Sequence, residues 1–278
     1  MKLLSQIKKD LEFNRNLTSL IEVLKEIAIS QYHILEKKIK TYDKIFILLE
    51  SLFSLIPNQN IRHPLVNLAQ RRPGVIAITS DTGLLGPLNM QVMTAALNEV
   101  QRNQAQLIIV GDKGKIYAQD CNVPFIAFQG IKDEIRFAQA MQLRDYIINE
   151  ELNHRLGAID VIYPHAVSLT TQRIYNLQLL PFSKPEKTQI PPPSEIIIES
   201  SLGDIAGYLI YLSLGQRFYE IFGLSRLAEM AARFAHLEES KYKLEDMEKQ
   251  LRLQYFRQRH ELIDRNMREL FAARLAFR

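Results

Sequence analysis

Residues 3–56 read LLSQIKKDLEFNRNLTSLIEVLKEIAISQYHILEKKIKTYDKIFILLESLFSLI, without a single Gly or Pro. Those two residues are the worst tolerated inside a helix, so their absence predicts one long helix over residues 1–57. Alternating steps of three and four pick out Leu4, Ile7, Leu11, Asn14, Thr18, Ile21, Lys25, Ala28, Tyr32, Leu35, Ile39, Tyr42, Phe46, Leu49, Phe53 and Ile56. Thirteen of these sixteen positions are apolar. A period of 3.5 residues is the seam of a coiled coil. Asn14, Thr18 and Lys25 interrupt it. Two readings stand side by side: they specify register at some expense of stability, or they mark an end that meets another protein.

The far end of the chain has a matching pattern. From Leu224 to Arg278 there is again no Gly or Pro. Met230, Leu237, Leu244 and Leu251 recur at intervals of seven. Leu227, Phe234, Tyr255 and Leu262 fill the companion register, while Lys241 and Glu248 interrupt it. This predicts a second long helix within residues 201–278, its first part punctuated by Gly203, Gly207, Gly215 and Gly223. A lone amphipathic helix is marginal in water. The first helix is therefore expected to pair with the last, and antiparallel if both leave one central domain.

Residues 60–200 hold most of the Pro and Gly. Val75–Thr79, Leu107–Val110, Val123–Phe128 and Ala158–Tyr163 read as strands. Asn89–Arg102 and Ile131–Leu156 read as helices, Ile174–Leu180 is ambiguous, and Pro181–Pro193 reads as a loop. Buried-type strands alternating with helices predict a Rossmann-like α/β domain with a largely parallel sheet. The expected architecture is thus a long antiparallel coiled coil of the N- and C-terminal helices plus a central α/β domain.

Composition narrows the function. Lys and Arg total 35 against 31 Asp and Glu, a net charge of +4 and a pI near 9.0, far from the charge density of a dedicated nucleic-acid binder. Hydrophobic residues at 47% rule out wholesale disorder. A single cysteine, Cys121, excludes an internal disulfide framework and points to a reducing compartment. The best apolar run, Ile45–Ile56, is broken by Glu50 and falls short of the roughly 18–20 residues of a bilayer span. The N-terminus shows no signal-peptide core and carries acids unlike a transit peptide.

Candidate chemistry is sparse. Asp81–Pro87 joins a strand to a helix. It could cradle an anion, but it has neither a Walker ending nor a dinucleotide fingerprint, and a tight turn bonded by Asp81 or Thr82 is the favoured reading of the residues. Gly111–Lys115 is expected to be a hairpin turn. The six histidines show no metal-ligand spacing, so no metal site is expected. The pairs Glu150–Glu151 and Glu238–Glu239 read as solvated helix faces, and Cys121 as a structural thiol. Glu229 and Arg233 stand at i,i+4, about 0.2–0.5 kcal/mol as an exposed pair. Arg265, Arg268, Arg274 and Arg278 suit a helix C-terminus or an electropositive tip meeting acidic loops, with Lys8 and Lys9 of the antiparallel helix in the same region.

SDTGLLGPLN at Ser80–Asn89 resembles the S-D-R-G-L-C-G-G-L-N signature of the gamma subunit of F-type ATP synthases, the central rotor shaft. Tyr163 closing IDVIY, Leu179-Leu180-Pro181 and Glu229-Met-Ala-Ala-Arg233 resemble further family elements in the same order, and Ile7–Gln31 aligns without gaps. The departures are several. The family's K-I-T-K-A-M-K reads Ser19–Lys25. Thr82, Leu85 and Pro87 replace Arg, Cys and Gly, Phe234 and Leu237 replace Met, and Lys243 replaces Asn. The resemblance implies a divergent rotor subunit carrying torque between an ion-driven membrane ring and a catalytic hexamer. It implies no catalytic residue, cofactor or metal in this chain. The implied partners are the alpha and beta subunits of the head, the epsilon subunit and the membrane c-ring, with no nucleic acid. The implied location is peripheral, on the cytoplasmic face of a bacterial membrane. Lys8, Lys9, Lys25, Asp81, Thr82, Glu229, Arg233, Arg265, Arg268 and Arg274 are the expected partner contacts. Two other readings remain: a gamma-like coiled-coil scaffold or assembly protein without torque, and an α/β enzyme binding a phosphate ligand through Ser80–Pro87.

Overall fold

The structure, a computed structural model, describes residues 2–39, 48, 49, 52, 65, 71–181 and 201–276. The expected continuation of the first helix through Tyr42, Phe46, Phe53 and Ile56, the loop following Pro181, and Arg278 lie outside the described residues. The elements, in order, are α1 (Lys2–Ile39), β1 (Gly74–Ile78), α2 (Leu88–Asn103), β2 (Gln106–Val110), α3 (Asp112–Asp120), β3 (Phe125–Phe128), α4 (Arg136–Leu152), β4 (Ile159–Ala166), β5 (Gln172–Leu180) and α5 (Leu202–Ala276). Two compact units divide the chain: residues 1–28 with 234–278, and residues 29–233.

The first unit is a helix pair. Arg15 meets Glu248 at 2.9 Å, Glu22 meets Lys241 at 2.8 Å, and Lys25 meets Glu238 at 2.8 Å. As the α1 numbers rise the α5 numbers fall by equal steps, so the two segments run antiparallel in constant register. Ile7, Leu11, Asn14, Ile21 and Ala28 are the buried positions of α1 here, which is the predicted 3.5-residue seam. Asn14 is 2% exposed and its Nδ2 donates to the Leu244 carbonyl at 3.0 Å, a contact that only one register satisfies.

The second unit is built on a five-stranded sheet in the order β3-β2-β1-β4-β5, parallel except for the β4–β5 pair. Successive residues of β1 serve opposite faces, as strand geometry requires. Ile76 and Ile78 pack with Leu143 and Ile147 of α4 and with Ile210, Leu214 and Phe218 of α5. Val75 and Ala77 pack with Val92, Met93 and Ala96 of α2 and Ala118 of α3. Both faces are covered, which is why β1 reads as a continuous β-branched run rather than an alternating one. Tyr32 and Leu35 of α1 pack in this unit against Leu227, Met230 and Ala231.

One local expectation needs correction, and two readings gain detail. Gly111–Lys115 is no hairpin: the chain leaves β2 and enters α3 directly, since β2 lies between two parallel neighbours. Gly111 takes φ +102, and a Cβ there would strike the Thr79 carbonyl. Thr79 fixes this turn by donating from Oγ1 to the Val110 carbonyl at 2.7 Å and accepting the Gly114 N–H at 3.0 Å. Ile174–Leu180, ambiguous from sequence, falls within the antiparallel edge strand β5, Gln172–Leu180. The glycines of 203–223 do not break the last helix, which runs unbroken for 75 residues. An added Cβ at Gly215 would come within 2.8 Å of Met141 Cε and 2.9 Å of Arg144 Nη1. There, glycine is the residue that lets α4 approach closely.

Gly111→Ala is expected to lower stability by about 1–3 kcal/mol, through strain at a positive φ and the clash with Thr79. A urea titration checks this. Gly203→Ala, whose Cβ meets only Ser201 Oγ at 3.9 Å, should leave the midpoint unchanged or slightly raised.

Candidate functional site

In the α/β unit the candidate site grows from the end of β1. Ser80 is buried and anchors the following loop twice. Its N–H donates to Asn89 Oδ1 at 3.1 Å, and its Oγ donates to the Thr82 carbonyl at 2.8 Å. Asp81 Oδ1 accepts the Asp112 N–H at 2.9 Å. Leu84 and Gly86 adopt positive φ of 63° and 55°. That turn carries Leu84 outward while Leu85 packs inward with Leu88 and Ala232. The loop's own polar side chains are spent on backbone partners, Ser80 within the loop and Asp81 on the first N–H of α3. The loop therefore fits a braced turn better than a phosphate cradle.

Two expected contacts converge on this loop. Arg233 Nη2 donates to Thr82 Oγ1 at 2.7 Å and Nη1 to Met230 Sδ at 3.3 Å. Glu229 does not form the exposed i,i+4 pair with Arg233. It is 3% exposed and takes Arg226 Nη1 on Oε2 at 2.5 Å, while Arg226 Nη2 reaches Asp133 Oδ2 at 3.2 Å. Burial pushes the Glu229 carboxyl above its ordinary value, against the pull of Arg226 and Arg233. Arg226 and Asp133 are thus the residues that sequence reasoning missed. Arg226 stands three residues before Glu229, a helix-neighbour spacing that was available as a signal; Asp133, 93 residues from Arg226, gave none.

In the helix-pair unit, Lys25 points inward, its side chain 15% exposed and held by Glu238. Glu238 accordingly sits below the ordinary carboxylate range, chiefly through the hydrogen bond from Lys25. Lys8 and Lys9 are exposed, and the register sets them opposite residues 255 and 254. Arg265, Arg268 and Arg274 follow further along α5, so the lysines and arginines do not share one level. Arg265 pairs with Glu269 at 2.9 Å, and Arg268 Nε donates to the Asp264 carbonyl at 3.2 Å. Ile263, Met267, Leu270, Phe271 and Leu275 stand exposed among them. Cys121 is exposed and free, ending α3. Among the described residues no helix is long and apolar enough to cross a membrane.

A family model described as ATP synthase matches residues 3–276. The chain is 24% identical over 278 residues to the ATP synthase gamma chain of Protochlamydia amoebophila, covering 97% of each. It is 28% identical over 216 residues to that of Symbiobacterium thermophilum, covering 76% of this chain and 75% of the other. Its fold is similar to a chain in the Euglena gracilis mitochondrial ATP synthase OSCP/F1/c-ring structure, with TM-score 0.67, 14% identity, and 99% and 95% coverage. It is also similar to one in the Tetrahymena thermophila central stalk/c-ring structure, with TM-score 0.63, 16% identity, and 80% and 99% coverage.

Arg226→Met leaves the buried Glu229 without its closest counter-charge and should lower stability by about 3–5 kcal/mol at neutral pH; adding Glu229→Leu should restore most of it. Because the folded-state pKa of Glu229 is raised, its contribution to stability falls as pH rises from 4.5 through that higher value. The deficit of Arg226→Met should therefore shrink on acidification. Urea midpoints at several pH values read both effects.

Proposed function

The chain belongs to the ATP synthase gamma-chain family, and we propose that it works as the central-stalk rotor subunit of an F-type ATP synthase, carrying torque between an ion-driven membrane ring and a catalytic alpha–beta hexamer. The observation that carries this reading is the antiparallel pairing of the two chain ends in one register, together with a family match along nearly the whole sequence. The role needs no catalytic residue here: ATP is made or hydrolysed on the surrounding subunits, and this chain supplies shape and rigidity.

The helix pair, within residues 1–57 and 201–278, acts as the camshaft inside the head. The α/β domain, residues 60–200, acts as the foot that meets the epsilon subunit and the c-ring. Turning a catalytic site from 1:99 to 99:1 between two states takes about 5.5 kcal/mol of differential contact. A helix pair offering unlike faces to three subunits can provide that. Lys8, Lys9, Arg265, Arg268 and Arg274 face the head. Lys25 serves through its pair with Glu238, by fixing register. Asp81 and Thr82 present the braced loop to a partner, Arg233 holds that loop, and Glu229 serves by fixing Arg226 on the same helix. The protein is a peripheral part of the synthase, and we place it on the cytoplasmic face of a bacterial membrane, a reading its bacterial relatives support.

Reconstitution tests the reading. Mixed with its cognate alpha and beta subunits, the chain should co-elute as one complex and change the ATPase rate severalfold. Failure to do either would falsify rotor function. The double charge reversal Arg268→Glu with Arg274→Glu should weaken that complex severalfold while leaving the helical circular-dichroism signal unchanged.

A further inference from the structure

Within the α/β unit, the tip of the β4–β5 hairpin braces two helices. Ala166 and Leu169 of the tip pack, with Ile39, around Tyr32 and Leu35 of α1 and Leu227 and Met230 of α5. The turn is closed by the Val167 and Ser168 N–H groups, which donate to the Thr171 carbonyl at 2.9 and 3.1 Å. One rung below Ala166, the ladder sets His165 directly opposite Arg173. His165 is only partly accessible, and its Nδ1 is buried without a hydrogen-bond partner. Its ring meets Tyr175 edge-on at 5.0 Å, and Tyr175 in turn stacks on Tyr163 at 6.1 Å.

A neutral imidazole fits this place. With the proton on Nε2, the buried Nδ1 leaves a lone pair idle and no donor unmet. An imidazolium does not fit. Both ring nitrogens then donate, and the Nδ1–H would find no acceptor inside the fold. The charge would be partly desolvated. It would also stand across the ladder from the Arg173 cation, and like charges directly opposite destabilise a strand pair. Arg173 is exposed, so solvent screens that repulsion, and burial is the larger effect. Burial accordingly pushes the imidazole below its ordinary value of 6.5. The other charges near the hairpin act elsewhere: Glu220 and Arg217 of α5 on Tyr163, where they oppose each other, and Glu36 of α1 on Tyr32. A tyrosine attracts a cation only weakly where water has access, and Tyr175 is 41% exposed, so it does not reverse the balance.

We propose that His165 makes the β4–β5 hairpin a pH-sensitive brace: the neutral ring lets the tip seat on α1 and α5, and protonation releases it. The rung that would have to open lies beside the turn, so the tip, residues 166–172, can lift while β1, buried along its whole length, stays closed. Lifting it removes Ala166 and Leu169 from the cluster around Tyr32 and Leu227, which loosens α1 on α5 at that level. The seated form prefers the unprotonated ring. The brace is therefore fully present above 6.5 and is lost as pH falls from 6.5 through the lower value of the seated ring. Acidification thus softens one joint of the molecule, a property of the fold that stands whether or not the rotor reading does.

Amide hydrogen exchange on the full chain tests this. Between about pH 7.5 and about pH 5.5, after correction for intrinsic rates, the amides of residues 166–172 should open severalfold more often, with about tenfold the ceiling set by one unit below the ordinary histidine value. Ile76, in the middle of β1, should keep its protection. His165→Phe keeps a ring against Tyr175 and removes the proton site, so the pH dependence at the tip should vanish. If that variant melts early, His165→Gln replaces it with the same expected result. Arg173→Gln should retain most of the dependence, because burial is the larger effect. In a nuclear magnetic resonance titration the His165 ring should titrate below 6.5. Equal pH dependence in wild type and variant, a ring titrating at or above 6.5, or a loss of protection shared by Ile76 would each overturn the proposal.

Discussion

Neither end of this chain can be a stable helix of such length on propensity alone, because each added residue gains little in water and the seam side chains would stay wet. Each end therefore needs the other. Pairing them buries Ile7, Leu11, Ile21 and Ala28 of α1. Apolar packing by itself tolerates sliding by a heptad, so register has to come from polar contacts. Asn14 on the Leu244 carbonyl, with the ladder from Arg15–Glu248 through Glu22–Lys241 to Lys25–Glu238, supplies it. The ladder lies at the edge of the seam, partly exposed, and adds little stability on its own. Its value lies in making every shifted register leave a buried amide or a charge unmatched.

The α/β unit solves a different problem. A mostly parallel sheet has two apolar faces and is stable only with helices on both. Here α2 and α3 cover one face and α4 the other, and the early turns of α5 complete the second layer. That second job explains why a helix otherwise suited to a coil carries Gly215 in its first part: the residue faces α4, where Met141 and Arg144 leave no room for a side chain. The helix-propensity penalty of about 0.5–1 kcal/mol is offset by close packing.

The seam of α1 was legible because burial follows period, and period survives any choice of apolar residue. The strands were legible for the same reason, β1 and β2 above all. The edge strand β5 was not: its residues alternate only loosely, since one side of the strand has no neighbour to enforce the pattern. Gly111 misled because a Gly-Asp-Lys-Gly run fits a hairpin locally, and only the parallel pairing of β2 on both sides forbids one. Of the loop site, the motif Ser80–Asn89 marked the place but not its bracing. That Arg233 bonds Thr82, and that Arg226 reaches Asp133 as well as its helix neighbour Glu229, depends on contacts 151 and 93 residues apart that no local spacing encodes.

A shaft that turns among three equivalent sites must not look the same from each of them. The helix pair meets that need through chemistry as well as shape. One flank carries the ion-pair ladder of Arg15, Glu22 and their partners; the other carries Phe13, Leu20 and Ile27. Charged and apolar flanks reward different neighbours, because desolvating an ion pair is unfavourable where burying leucine is favourable. As the pair rotates, each surrounding subunit would meet these flanks in turn, so the bias on its conformation changes with angle. A two-fold symmetric coil of the same length would give the same contact every half turn and lose that distinction. The need for unlike flanks constrains the surface by class of residue and the seam by period, and neither fixes identities. That is how a chain can keep the whole fold of its family at 24% identity over its full length.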